Sequence, residues 1–199
     1  MLWLDSLEGF ALDQWNGEPV VWISQSGAQT SPELRKQARR DQLRKLSSRL
    51  TGVSPNRLQM ERRASGQACI SGPELLWLSS ASRGSWNAVA IARAPIGVDI
   101  ETCPAAIPVP FNLLHPLERD SLQKLEGRAR QHAFLQFWTA REAYWKAAGR
   151  GLDAPLSCSR AEMGEGQIVR IIVNGNRAGE AQTVISDEYV AAAIQMGEE

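Results

Sequence analysis

Apolar positions along this chain recur with two periods, and the switches between them mark the elements. Val20 to Ile23 is a short continuous apolar run and reads as a buried strand. From Ser31 the spacing becomes helical. Leu34, Ala38, Leu46 and Leu50 fall on one side, Ser31 is placed to cap, Pro32 to open and Gly52 to stop the helix. Ser54-Pro55-Asn56 reads as a turn. Trp86 to Ala92 and Ile96 to Glu101 read as strands joined at Ala94-Pro95, and the Pro-rich stretch from Pro104 to Pro110 as a linker. Helices are expected around Leu117 to Leu125 and Ala129 to Ala148, the second ended by Gly149 or Gly151 in a left-handed cap. Strands around Ile168 to Val173 and Tyr189 to Ile194 follow, with Asn174-Gly175 as a hairpin turn.

The strands are mostly consecutive and hairpin-like, so the pattern predicts an α+β fold. It divides into an N-terminal half, residues 1–102, and a C-terminal half, residues 103–199, each with strands and a long helix. Two similar halves would place a cleft at their junction, where ligand sites tend to form. A chain of two halves can build that cleft alone, as a monomer.

Composition narrows the function. With 199 residues, 43% hydrophobic and 22% charged, this is an ordinary globular chain. Its 22 basic and 22 acidic residues cancel, which argues against nucleic acid as the partner. No apolar run reaches the roughly 18 residues of a membrane span. Met1-Leu2-Trp3-Leu4-Asp5 lacks the form of a secretory signal. Cys69, Cys103 and Cys158 are few and scattered, giving neither metal-ligand spacing nor a disulfide framework; a reducing cytoplasm is the expected setting.

Two segments carry candidate chemistry. In Ile96-Gly97-Val98-Asp99-Ile100-Glu101, the apolar residues share one strand face, and Gly97, Asp99 and Glu101 share the other. Two carboxylates at that spacing, about 6–7 Å apart at the backbone, read either as a solvated polar face or as ligands converging on a hard divalent cation such as magnesium. On the later helix, Trp138, Glu142 and Lys146 form one stripe, flanked by Arg141 and Trp145. That stripe is either a common Glu–Lys surface pair or a third carboxylate, metal ligand or base, beside a cation ready for phosphate. Arg35, Lys36, Arg39, Arg40, Arg44, Lys45 and Arg49 make the first helix a local positive field opposed only by Asp41. Most of these should be solvated, with one or two reaching the cleft.

Together these segments resemble the Sfp-type 4′-phosphopantetheinyl transferases. That family carries a Gly-(Ile/Val)-Asp-Ile-Glu strand, here Gly97 to Glu101. About 40 residues on come Trp-(Ser/Thr)-x-Lys-Glu and a later lysine, here Trp138 to Lys146, then Gly-Lys-Gly-Leu, here Gly149-Arg150-Gly151-Leu152. The resemblance runs loosely from Ser31 to Leu156. It implies two pseudo-symmetric α+β halves with coenzyme A in the cleft between them. The reaction would be magnesium-dependent transfer of 4′-phosphopantetheine to a serine of an acyl- or peptidyl-carrier protein, releasing 3′,5′-ADP. It further implies Asp99, Glu101 and Glu142 as the metal carboxylates, Glu142 also as base, and Arg141 and Lys146 as a basic pair near the phosphates. Carrier proteins of this kind are acidic, so the basic first helix would help them dock, an effect that salt weakens.

Three positions depart from the family. Gly66-Gln67-Ala68 stands where Gly-Lys-Pro is usual, so a phosphate-facing lysine is missing. Ser80-Ala81-Ser82, followed by Arg83, stands where Ser-His-Ser is usual, and the alternative alignment on Ser79-Ser80-Ala81 loses the histidine too. Arginine replaces lysine at Arg141, keeping the charge and changing its geometry. Arg83 or Arg35 would have to compensate. Two other readings stay open: a relative that binds coenzyme A or a carrier without transfer, favoured by the missing histidine and lysine, and a magnesium-dependent pyrophosphate hydrolase.

Overall fold

The computed structural model of the protein describes residues 1–8, 10, 15–26, 31–71, 74–104, 108–150 and 159–197. Gly151, Leu152, Cys158 and part of the Pro104–Pro110 stretch lie outside them. Within them the chain is α+β, with two sheets and a long helix packed on each.

The first sheet contains β1 (Leu2–Leu4), β2 (Val20–Gln25), β3 (Met60–Arg62), β4 (Ala68–Ile70), β5 (Leu76–Arg83) and β6 (Trp86–Ala92), in the order β1-β2-β6-β5-β4-β3. Only the β1–β2 pair is parallel. Helix α1 (Pro32–Thr51) begins as expected. Ser31 Oγ accepts from Leu34 N at 3.2 Å, Pro32 opens the first turn, and Gly52 closes the helix at φ 68°. Its inward face differs from the expected one. Leu43, Leu46, Ser47 and Leu50 are buried against Val20, Leu76, Leu78, Val89 and Ile91, whereas Leu34 is 56% exposed. Only the second half of α1 is buried, so the basic first half stays accessible.

The second sheet contains β7 (Ile96–Thr102), β8 (Ser159–Met163), β9 (Ile168–Val173), β10 (Asn176–Ile185) and β11 (Tyr189–Gln195), ordered β7-β11-β10-β9-β8 and wholly antiparallel. Asn174 and Gly175 both take positive φ in the β9–β10 hairpin, as the dipeptide predicts. Helices α2 (Pro116–Gln123) and α3 (Gly127–Ala147) come between β7 and β8. His115 caps α2: its Nδ1 accepts from Leu117 N at 3.2 Å. Gly149 takes φ 69° past the end of α3.

The two halves wind identically. In the first, β2 and α1 precede four more strands, and the five lie in the order β2-β6-β5-β4-β3; in the second, β7-β11-β10-β9-β8 repeats that order around α3. This corrects the expected boundary after residue 102. β7 pairs with β11 along its whole length, Ile96 with Gln195 through Thr102 with Tyr189, so the second half starts at β7. The two sheets meet face to face through small residues, Ala81, Ala88, Ala90, Ala92, Ala191 and Ala193, together with Val21, Ile23, Ile96, Val98 and Ile100. Side chains this short let the sheets approach closely, and they leave β7 covered on both faces. Among the described residues no helix is long and apolar enough to cross a membrane.

Candidate active site

β7 alternates as its sequence requires. Ile96, Val98 and Ile100 enter the core between the sheets; Gly97, Asp99 and Glu101 face α3. The polar face is not solvated, since Asp99 is 8% exposed. On α3, from Ala133 to Ala147, only Trp138, Glu142 and Lys146 keep partial exposure, and every other residue is buried. The stripe seen in the sequence is thus the one open line on a buried helix, and it lies against the acidic face of β7.

Lys146 Nζ donates to Asp99 Oδ1 at 2.7 Å and to the Val98 carbonyl at 3.0 Å. Arg83 Nε pairs with Glu101 Oε2 at 2.9 Å. Asp99 Oδ2 is buried with no hydrogen-bond partner, and Glu142 has no ion-pair partner among the described residues. Burial raises the pKa of Asp99, Glu101 and Glu142 above the usual carboxylate range, and their mutual repulsion pushes Glu101 and Glu142 further in that direction. Lys146 pulls the other way on all three, and does so most directly on Asp99.

Three hard oxygen donors in one electrostatic neighbourhood, one with an orphaned buried oxygen, fit a divalent cation in chemistry. Their spacing is wider than an ion needs: among the described residues no three acidic, histidine or cysteine side chains stand close enough to hold one. Lys146 and Arg83 each hold a carboxylate oxygen that an ion would use.

Beside this group a cleft of about 410 Å³ opens between the halves. Leu43, Arg62, Gly66, Gln67, Ala68, Leu78, Ser79 and Ser80 line it from the first half; Trp145, Lys146, Gly149 and Arg150 line it from the second. Among the described residues its charged lining is Arg62, Lys146 and Arg150, with no carboxylate, as suits a polyanionic ligand. A second cavity of about 310 Å³, lined by Arg83, Glu101, Pro108, Pro110, Phe134, Leu135 and Trp138, adjoins the Arg83–Glu101 pair.

The 4′-phosphopantetheinyl transferase superfamily model matches residues 95–194, half of the chain, from the start of β7 nearly to the end of β11. The chain belongs to the 4′-phosphopantetheinyl transferase superfamily. It is 30% identical over 126 residues to a Synechocystis protein provisionally named a 4′-phosphopantetheinyl transferase, covering 58% of this chain and 49% of that one. It is 23% identical over 154 residues to a 4′-phosphopantetheinyl transferase of Bacillus subtilis, covering 76% and 69%. A third relative, a 4′-phosphopantetheinyl transferase of Aneurinibacillus migulanus, is 32% identical over 73 residues, covering 36% and 31%. The match therefore spans about half the length of the Synechocystis relative.

Membership makes the departures from the family's pattern specific. Arg141 does not reach the cleft, contrary to expectation. It is 1% exposed and paired with Glu118, which also accepts from Ala161 N at 2.6 Å. The residue before Glu142 leaves the helix about 100° away from it, and here that direction points into the core. Arg35 lines neither cavity. The α1 arginine that bonds to β5 is Arg39, one turn further on, which donates to Ser82 Oγ. Arg83 pairs with Glu101 rather than facing the main cleft. Of the two superfamily alignments on β5, the structure favours the second. Ala81 is buried between the sheets, whereas Ser80 faces the cleft beside Leu78, and Ser79 Oγ accepts from Val98 N at 3.0 Å. Gln67, in place of lysine, donates to the Ala147 carbonyl and so ties the β3–β4 hairpin to the end of α3.

Arg62, Arg150 and Leu43 line the cleft although sequence reasoning did not assign them. Arg150 lies inside the Gly-Arg-Gly ending already noted, so its neighbourhood was the available signal. Arg62 ends β3 in a Glu-Arg-Arg run that carries no such signal.

Proposed function

We propose that this chain transfers 4′-phosphopantetheine from coenzyme A to a serine hydroxyl of an acyl- or peptidyl-carrier protein. The observation that carries this reading is the placement of Asp99, Glu101 and Glu142, three half-buried or buried carboxylates in one electrostatic neighbourhood, beside a cleft whose charged lining among the described residues is cationic.

Arg62, Lys146 and Arg150 bind the phosphates of coenzyme A, and Leu43, Leu78 and Trp145 give the cleft apolar walls. Magnesium, held by Asp99, Glu101 and Glu142, would neutralise charge on the diphosphate. The carrier's serine Oγ attacks the phosphorus of the pantetheine-bearing phosphate. The bond from that phosphorus to the oxygen of 3′,5′-ADP breaks, and the serine proton passes to Glu142. Its raised pKa makes Glu142 a better proton acceptor than an ordinary glutamate. The basic first half of α1, exposed as described, favours an acidic carrier.

The test is incubation of the chain with coenzyme A, magnesium and an apo carrier protein, followed by intact-mass spectrometry. A carrier gaining one phosphopantetheine, in a reaction stopped by chelator, supports the reading. An unmodified carrier with coenzyme A bound to the chain would make it a binding relative, which the loss of the expected lysine at Gln67 and histidine at Ser80 favours. Release of 3′,5′-ADP without carrier would make it a hydrolase.

A further inference from the structure

Each carboxylate of β7 that faces α3 already has a cation of the chain's own on it. Lys146 sits between Asp99 Oδ1 at 2.7 Å and the Val98 carbonyl at 3.0 Å, and Arg83 takes Glu101 Oε2 at 2.9 Å. The two partners of the first pair differ in freedom. The Asp99 side chain is 11% exposed and fixed on a strand covered on both faces, while that of Lys146 is 33% exposed at the end of a flexible stem. If this pair opens, the lysine moves. It has somewhere to go, because Lys146 also lines the cationic cleft.

Charge fixes when it would move. The three carboxylates face two cations, Lys146 and Arg83. Adding a dication with both cations in place would set four positive charges against three negative ones, with the lysine directly beside the incoming ion. Adding the dication together with a diphosphate restores the balance, and it gives the ammonium a new partner in the cleft.

We infer that Lys146 is a placeholder cation: in the ligand-free chain it occupies the position of the metal at Asp99, and a diphosphate in the cleft draws it away, so that dication and diphosphate bind with positive coupling. This rests on the reading that the carboxylates take a dication and the cleft takes coenzyme A, and adds the coupling and the residue that produces it. A ligand that binds only the minor, lysine-free state has its affinity reduced by the fraction of time that state exists. Removing the lysine removes that reduction, and by linkage the coupling shrinks for both ligands.

The experiment titrates the whole chain with Mn²⁺, counting free ion by electron paramagnetic resonance, with neither coenzyme A nor carrier present. Lys146→Met is expected to bind Mn²⁺ about tenfold more tightly than the unaltered chain, corresponding to a lysine-free state populated about one-tenth of the time. Asp99→Asn added to Lys146→Met should erase that gain. Coenzyme A, corrected for the Mn²⁺ it binds by itself, should then tighten Mn²⁺ binding more in the unaltered chain than in Lys146→Met. Lys146→Met leaves Asp99 without a counter-ion and can weaken the fold, so Lys146→Gln, which keeps a donor for the Val98 carbonyl, is measured alongside. In either variant Mn²⁺ should raise the melting temperature more than it does in the unaltered chain. Folded variants that bind Mn²⁺ no more tightly than the unaltered chain overturn the inference, even if carrier modification proceeds. If instead the carrier stays unmodified while the Mn²⁺ difference holds, the transfer reading fails and the placeholder stands.

Discussion

Gly97 of β7 lies directly beneath Ala143 of α3. A Cβ built on it would collide with the Ala143 carbonyl oxygen and stand 2.8 Å from Ala147 N. Glycine is needed here for its missing side chain, not for an unusual backbone. The contact sets how closely α3 approaches β7, and so the distance from Glu142 and Lys146 to Asp99.

Gly97→Ala should therefore act on stability and site together. The clash is with helix backbone, which cannot rotate away as a side chain would, so the cost should be about 3 kcal/mol, the upper part of the usual overpacking range. Thermal denaturation should show the loss, and metal binding should weaken even where the variant remains folded. A variant with unchanged melting temperature would mean that α3 shifts freely on β7.

The buried pair on the other side of α3 should behave differently. Arg141→Met leaves Glu118 charged, buried and short of its partner, at a cost of about 3–5 kcal/mol. Replacing both, Glu118→Leu with Arg141→Met, should be milder than Arg141→Met alone, with part of the cost remaining because Glu118 also accepts from Ala161 N and His115 N. In any variant that folds, the affinity for coenzyme A should stay as it was, because Arg141 faces away from the cleft. A selective weakening of coenzyme A binding with normal stability would return Arg141 to the phosphate site.

Asp99, Glu101 and Glu142 give the metal-free protein a characteristic pH response. Their folded pKa values are raised, with burial the largest cause in each case. Between the ordinary carboxylate pKa and the raised one, the folded state holds more protons than the unfolded state, so stability falls as pH rises through that window. A dication that neutralises the three should oppose this trend. Melting curves in chelator should show declining stability above the ordinary carboxylate range, and curves with magnesium a growing difference in the same direction. Glu142→Gln should flatten the decline without loss of folding, since Glu142 has no ion-pair partner to abandon among the described residues, and should lower transfer about 10²–10⁴-fold. A decline of equal steepness in Glu142→Gln would assign it to other groups.

Local signals in the sequence located much of this. Ser31, Pro32 and Gly52 marked α1, and Asn174-Gly175 marked the β9–β10 turn, because capping and turn chemistry act within a few residues. The alternation of β7 and the Trp138–Glu142–Lys146 stripe were legible for the same reason: period and face are local properties. The failures all concern what lies across from a residue. Whether Arg141 turned to the cleft or to Glu118 depended on α2 and β8 being packed there. The sheet that β7 joins depended on β11, some ninety residues later in the chain. Short strands such as β3 and β4 lack enough residues to show a period at all. Arg62 enters the cleft only because the hairpin they form leans on Gly149, where a Cβ would meet Ser65 O at 2.8 Å.

Strand parity on β5 separates two histidine substitutions that look equivalent in the sequence. Ser80 faces the cleft and Ala81 the interior between the sheets, because neighbouring residues of a strand point to opposite faces. Ser80→His should tighten coenzyme A binding, and more so at pH 6 than at pH 8, since an imidazole with a pKa near 6.5 carries its charge only at the lower value. Ala81→His forces a large polar ring among Val98, Ala88 and Ala90, and should cost about 1–3 kcal/mol from overpacking, with no gain in affinity. Calorimetric titration with coenzyme A at the two pH values, together with melting temperatures, reads both outcomes. A pH-independent affinity for Ser80→His would show that no phosphate lies within reach of that position, and that the ligand enters the cleft from the Arg62 and Arg150 side without extending along β5.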